Sequence, residues 1–222
     1  MGFRFRNRRD AGTYLAKSLL RFAGRPDVRV LALPRGGVPV GYEVALALDA
    51  PFDVFVVRKL GVPGHEEFAM GAIATGGVTV LDEETISTLG IPPDAVAAIA
   101  SREQAELSRR ERRYRHGQPP MQVEGLTVIL VDDGLATGAS MRAAVRALKA
   151  LTPSEIVVAV PVGSAEGCAA VELEGASCVC ALLPEPLFGV GAWYADFSQT
   201  EDEEVEALLA AARTDTGDPR AE

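Results

Sequence analysis

The chain has 222 residues, 48% of them apolar, enough for one packed domain or two small ones. A net charge of −9 argues against nucleic-acid binding, which needs concentrated Lys and Arg, and no apolar run reaches membrane length. Three cysteines (Cys168, Cys178, Cys180) are too few for a disulfide framework and lack zinc-ligand spacing, so they read as buried thiols of a cytoplasmic protein without a signal peptide.

Taken in chain order, residues 28–33 are short, apolar and β-branched and predict the first clear strand, with 38–48 following as a helix. Residues 53–58 predict the next strand, and 68–74 with 78–81 a β-hairpin around Thr75-Gly76-Gly77. A long charged helix is expected over 93–116, carrying six Arg against three Glu between Ser101 and His116. Pairs such as Glu106–Arg110 at i,i+4 mark that face as solvated rather than ligand-binding. Strands at 126–131, 155–160 and 178–183 then alternate with helices at 141–151 and 165–172. Such alternation predicts an α/β fold of right-handed βαβ units on a mostly parallel sheet flanked by helices. The strands lack period-2 alternation, as strands buried on both faces do. Residues 213–222 read as a polar, disordered tail after a single domain over 1–212.

The most informative stretch is Val128-Ile129-Leu130-Val131-Asp132-Asp133-Gly134-Leu135-Ala136-Thr137-Gly138-Ala139-Ser140. It joins the C-terminal end of a buried strand to a helix N-terminus, the ligand-binding junction of open α/β sheets. Adjacent acids at a strand end can hold a divalent metal, cap a helix, or accept hydrogen bonds from the vicinal hydroxyls of a sugar. The last reading uses every residue: Gly134 to Gly138 can turn backbone N–H groups inward as an anion nest. Thr137 and Ser140 add hydroxyl donors where the helix dipole favours a phosphate dianion. A phosphoacceptor arrangement instead expects the acid pair after the first strand and a Lys after a later one; the pair here lies past mid-chain, and no Lys follows 155–160.

This pattern resembles the phosphoribosyl-pyrophosphate (PRPP) motif of type I phosphoribosyltransferases. The resemblance covers residues 28–197 and implies that family's fold. It gives Asp132 and Asp133 the ribose hydroxyls, and Gly134, Ala136, Thr137, Gly138, Ala139 and Ser140 the 5′-phosphate. Leu33-Pro34-Arg35-Gly36-Gly37 is similar to the family's pyrophosphate loop, which implies a cis peptide at Pro34–Arg35 and pyrophosphate contacts from Arg35, Gly36 and Gly37. Arg58 and Lys59, before a Gly/Pro-rich stretch ending in His65-Glu66, resemble the root of the mobile loop in adenine and orotate members and are further pyrophosphate candidates. Residues 184–200, together with 1–27, correspond to the small hood, where Trp193, Tyr194 and Asp196 are the candidates for contacting an acceptor base. The resemblance implies transfer of the phosphoribosyl group from PRPP to a nitrogenous acceptor, a nucleobase in most members. Asp132, Asp133, Arg35 and Lys59 would carry the reaction, with Mg²⁺ held mainly by substrate oxygens and no dedicated protein ligand. A non-catalytic PRPP or nucleotide sensor on the same fold is the alternative. A small-molecule acceptor, no nucleic acid and no membrane are implied as partners, with a homodimer left open. Ala136 replaces the Asp of 6-oxopurine enzymes, and the 68–73 segment lacks the Glu of adenine enzymes, so the acceptor's identity stays open.

Overall fold

The structure, a computed structural model, describes residues 3–215. Helix α1 (Arg8–Ala16) comes first, capped by Asn7, whose side chain accepts the Asp10 N–H at 3.0 Å. Then follow β1 (Val28–Ala32), α2 (Gly37–Leu48), β2 (Phe52–Val54), β3 (Val57–Val62), β4 (His65–Ala74), β5 (Val78–Leu81), α3 (Glu83–Thr88) and α4 (Pro93–Arg115). The remainder is β6 (Thr127–Val131), α5 (Ala139–Lys149), β7 (Glu155–Val162), α6 (Ala165–Leu173), β8 (Ser177–Leu182) and α7 (Asp202–Asp215).

Five parallel strands form the main sheet in the order β2-β1-β6-β7-β8. Alternate residues of each strand enter opposite cores: Val30, Ile129, Val157 and Ala159 pack towards α2, α4 and α7, while Leu31, Val128, Leu130 and Val158 pack towards α5 and α6. Both sets are buried, which is why the strands read as continuous apolar runs. Each fully buried Val or Leu contributes about 1.5–3 kcal/mol, so this double-sided layer fixes the strand ends and the loops that leave them.

Several expectations need correction. The stretch expected as a strand over 53–58 followed by a loop over 57–66 is instead split. The chain leaves the parallel sheet after Val54, and β3, β4 and β5 form a separate three-stranded antiparallel sheet. Gly61, Pro63 and Gly64 suggested a loop, but Leu60 and Val62 alternate inward and are buried, so the segment pairs as a hairpin with a register shift around Gly61. Helices α1, α3 and α7 were not anticipated. For α7 the signal was present: Asp202, Glu203 and Glu204 suit a first turn, and Val205, Leu209 and Ala212 recur at helical spacing on the buried face. The expected tail over 213–222 thus overlaps the end of α7, and residues 216–222 lie outside those described. The thiols are half-buried rather than buried, with the Cys178 thiol donating to Cys168 Sγ at 2.9 Å.

The two terminal segments meet over one end of the sheet. Phe5 N–H donates to the Trp193 carbonyl at 2.9 Å, and Ala195 N–H donates back to Phe5 at 2.8 Å. Phe5, Ala11, Val162 and Tyr194 form a small third core there. Among the described residues no helix is long and apolar enough to cross a membrane.

Candidate active site

From β1 the sheet grows one way to β2, and from β6 it grows the other way to β7 and β8. The crevice above the β1–β6 seam is therefore the point where strand order reverses, where open parallel sheets bind ligands. Both loops singled out in the sequence leave this seam. After β1 comes Pro34-Arg35-Gly36, with a cis peptide between Pro34 and Arg35, at the position the resemblance implied. After β6 come Asp132, Asp133 and the loop into α5. The loops touch: a Cβ on Gly36 would collide with the Asp133 carboxylate, so only glycine admits this approach.

The loop into α5 is fixed from beneath. Leu135 N–H donates to Val162 at 2.9 Å, Ser164 N–H donates to Leu135 at 2.8 Å, and Ser164 Oγ donates to the Ala136 carbonyl at 2.6 Å. Gly138 turns the chain at φ +76°, a conformation that favours glycine, and α5 starts at the next residue. Ala136, Thr137, Ala139 and Ser140 are exposed, and among the described residues no backbone acceptor takes up the N–H groups of residues 136–140. Unsatisfied N–H groups at a helix N-terminus form an anion-binding cradle.

The carboxylates of Asp132 and Asp133 stand beside that cradle. Asp132 Oδ1 accepts the Asp133 N–H at 2.8 Å. Asp133 Oδ2 accepts from Arg8 Nε at 2.8 Å. One oxygen of each carboxylate is thus engaged, and among the described residues the other has no hydrogen-bond donor. Burial, then the neighbouring Asp133 charge, pushes the Asp132 carboxyl well above its ordinary range, with Arg8 and the Asp133 N–H acting in the opposite direction. Tyr194 Oη donates to the Asp133 carbonyl at 2.6 Å. Its phenol is raised by burial and by the Asp133 charge.

The basic candidates divide. Lys59 lines a cavity of about 180 Å³ together with Pro34, Asp132 and Ser140. Arg58 does not line it; its guanidinium is spent on Glu103 of α4, at 2.9 Å from Nε and 2.7 Å from Nη2. The physical reason is strand geometry, since consecutive strand residues point to opposite faces. Arg110 of α4 lines the same cavity and was missed, because its i,i+4 bond to Glu106 at 2.8 Å made the helix look merely solvated. That expectation also fails for Arg115 and Glu103, which are buried. Arg35 reaches Glu201 at 3.4 Å and Asp202 at 3.8 Å, at the start of α7.

Of the hood candidates, Tyr194 is corrected: it is 3% exposed and packs between Phe5 and Phe197, with ring centroids 5.5 and 4.9 Å away, so it has no open face for stacking. Trp193 is half-buried in the same cluster. Asp196 is exposed, and the Ser198 N–H it accepts at 2.9 Å lowers its carboxyl. His65 is exposed at the β3–β4 turn. The residue missed altogether is Arg8. Its helix was signalled by Asn7 and by Ala11 and Leu15 at i,i+4, but no local pattern points to a partner 125 residues away.

A family model described as the phosphoribosyl transferase domain matches residues 6–180. Two proteins of Mycobacterium tuberculosis strains, "Putative phosphoribosyl transferase MT0597" and "Putative phosphoribosyl transferase Rv0571c", are each 42% identical over 95% of this chain and 47% of their own. The chain thus spans about half the length of these curated relatives. The crystal structure of TT1426 from Thermus thermophilus is similar with a TM-score of 0.85 at 42% identity, covering 94% of this chain and 99% of that one.

Proposed function

The chain belongs to the phosphoribosyl transferase domain family, and from that membership we propose that it is a transferase moving the 5-phosphoribosyl group of PRPP to a nitrogenous acceptor with release of pyrophosphate. The observation that carries this reading is the β1–β6 seam, where an anion cradle, an acid pair and an arginine-glycine loop converge. The cradle at residues 136–140 takes the 5′-phosphate, and the unengaged oxygens of Asp132 and Asp133 accept the two ribose hydroxyls. Arg35, Gly36 and Gly37, with Lys59 across the cavity, take the pyrophosphate. The C1–oxygen bond to pyrophosphate breaks as a C1–nitrogen bond forms from the opposite face, and the acceptor nitrogen releases its proton. Positive charge develops on the ribose as the old bond lengthens, and the carboxylates stand where they stabilise it.

The donor chemistry suits Mg²⁺: Asp132 and Asp133 are hard oxygen groups, yet two carboxylates cannot complete an octahedron. The ion would be held mainly through substrate oxygens and its own waters. When bound it neutralises charge on the leaving pyrophosphate. Incubation with PRPP, Mg²⁺ and a panel of nucleobases and other nitrogenous acceptors tests the reading. Acceptor-dependent pyrophosphate release supports it; PRPP binding without release by any acceptor supports the sensor reading instead.

A further inference from the structure

We propose that Arg8 is a positioning residue for the sugar site, acting through Asp133; this rests on the PRPP reading above. Three groups from two segments converge on its guanidinium. Nε donates to Asp133 Oδ2 at 2.8 Å, Nη1 donates to the Ser198 carbonyl at 2.6 Å, and the group lies 4.1 Å from the centroid of the Phe197 ring. Side-chain exposure is 12% for Arg8 and 18% for Asp133, so the pair is shielded enough for its geometry to matter. A planar guanidinium held by a carboxylate, a carbonyl and a ring has little freedom, and it transmits that restriction to the carboxylate.

The base of the side chain is equally fixed. Arg8 opens α1 immediately after its Asn7 cap, and Arg9 beside it ion-pairs with Glu43 of α2. Helix α2 itself starts at Gly37, next to Gly36, where an added Cβ would lie 3.4 Å from Arg8 Nε. Arg8 is therefore anchored to the helix that carries the pyrophosphate loop, while its tip holds the carboxylate of the neighbouring strand. Tyr194 fixes the main chain of the same Asp133 from the other terminal segment. The consequence for chemistry is orientation. With Oδ2 bound to Arg8, Oδ1 is the oxygen left to receive a ribose hydroxyl.

A double-mutant cycle on the full chain separates this role from a clamp that merely joins the termini. Dissociation constants for ribose 5-phosphate and for inorganic pyrophosphate are measured by calorimetry on the unmodified protein, Arg8→Gln, Asp133→Asn, the double variant and Arg8→Lys. Expected are a roughly tenfold loss of ribose 5-phosphate affinity in each of Arg8→Gln and Asp133→Asn, a double variant within about twofold of Asp133→Asn alone, and unchanged pyrophosphate binding. Arg8→Lys, which keeps the charge but not the fork, recovers part of the loss and serves if Arg8→Gln does not fold. The proposal is overturned by ribose 5-phosphate affinity that survives Arg8→Gln, or Arg8→Lys where that is the folded variant. It is equally overturned by losses that multiply in the double variant, or by pyrophosphate affinity falling as far as that of ribose 5-phosphate. An unmodified protein that binds neither ligand overturns the PRPP reading itself, and the Arg8 role with it.

Discussion

At the scale of single residues, the acid pair sets function against stability. Asp132 titrates well above its ordinary value of 3.8 because burial and Asp133 oppose its charge. Between those two values the folded chain keeps a proton that the unfolded chain has lost, so folding stability falls as pH rises through that window. Asn at this position has no charge to desolvate and still accepts the Asp133 N–H. Asp132→Asn is therefore expected to raise Tm at neutral pH, by about 2–4 °C per kcal/mol for a chain of this size, and to leave Tm unchanged near pH 3. The same substitution should weaken PRPP binding by roughly ten- to a hundred-fold, because an amide NH2 then stands in place of one carboxyl oxygen, and a buried group left without its partner costs about 1–3 kcal/mol. Thermal melts at the two pH values, with titrations at pH 7, check both parts; a lower Tm at neutral pH contradicts the account. Arg35→Ala should separate ligands instead. It is expected to weaken PRPP and pyrophosphate by about tenfold or more while leaving adenosine monophosphate within about twofold, since the monophosphate lacks the group Arg35 would contact. Equal losses for all three would displace the pyrophosphate from the β1 loop.

At the scale of elements, the hairpin of β3 and β4 replaces the loop expected over 57–66, which changes what closure can mean. A paired hairpin moves as an arm carried by its root rather than as free chain. Its tip, Pro63 to Glu66, is exposed, whereas Leu60 and Met70 at its root are fully buried. Lys59, which lines the cavity with Asp132, is at the root too, paired with Ala72. Binding of PRPP with Mg²⁺ should therefore protect the amides of Gly61, Val62, Gly64, His65 and Glu66 from hydrogen exchange, as the arm settles over the substrate and excludes water. Exchange at these amides that is indifferent to ligand would argue that the arm takes no part in closure.

At the scale of the molecule, helix α4 and the parallel sheet are joined by a buried ion pair. Arg115, at the end of α4, donates Nε to both Asp53 oxygens at 3.2 Å, Nη1 to Glu111 at 2.7 Å and Nη2 to the Val54 carbonyl at 2.7 Å, with both Arg115 and Asp53 side chains 3% exposed. It grips the chain at the point where it leaves β2 for β3. Arg115→Met removes this cation from the buried Asp53 carboxylate, and breaking one side of a buried pair costs about 3–5 kcal/mol in comparable cases. The expected fall in Tm is roughly 10 °C. Adding Asp53→Asn should recover part of it. A fall of only a degree or two in Arg115→Met would mean that α4 and β2 are held together by their apolar contacts alone.

The α/β class, the parallel strands and the positions of both loops at strand ends were legible along the chain. Each of these depends on short contiguous signals: β-branched runs buried on two faces, a glycine at a left-handed turn, and a helix start after an acid pair. Tertiary structure decided which side chains share the site. Arg58 and Lys59 are neighbours in sequence, yet pleating sends one to Glu103 and the other to the cavity. Tyr194 reads as an aromatic available for stacking until the fold buries its ring and spends its hydroxyl on a residue 61 positions away. Arg8 carries no local mark at all, because its meaning lies in a carboxylate 125 positions distant, brought to it only when α1 docks on α2 and the sheet closes beneath them. Local periodicity is written by neighbours along the chain, whereas a site is written by neighbours in space.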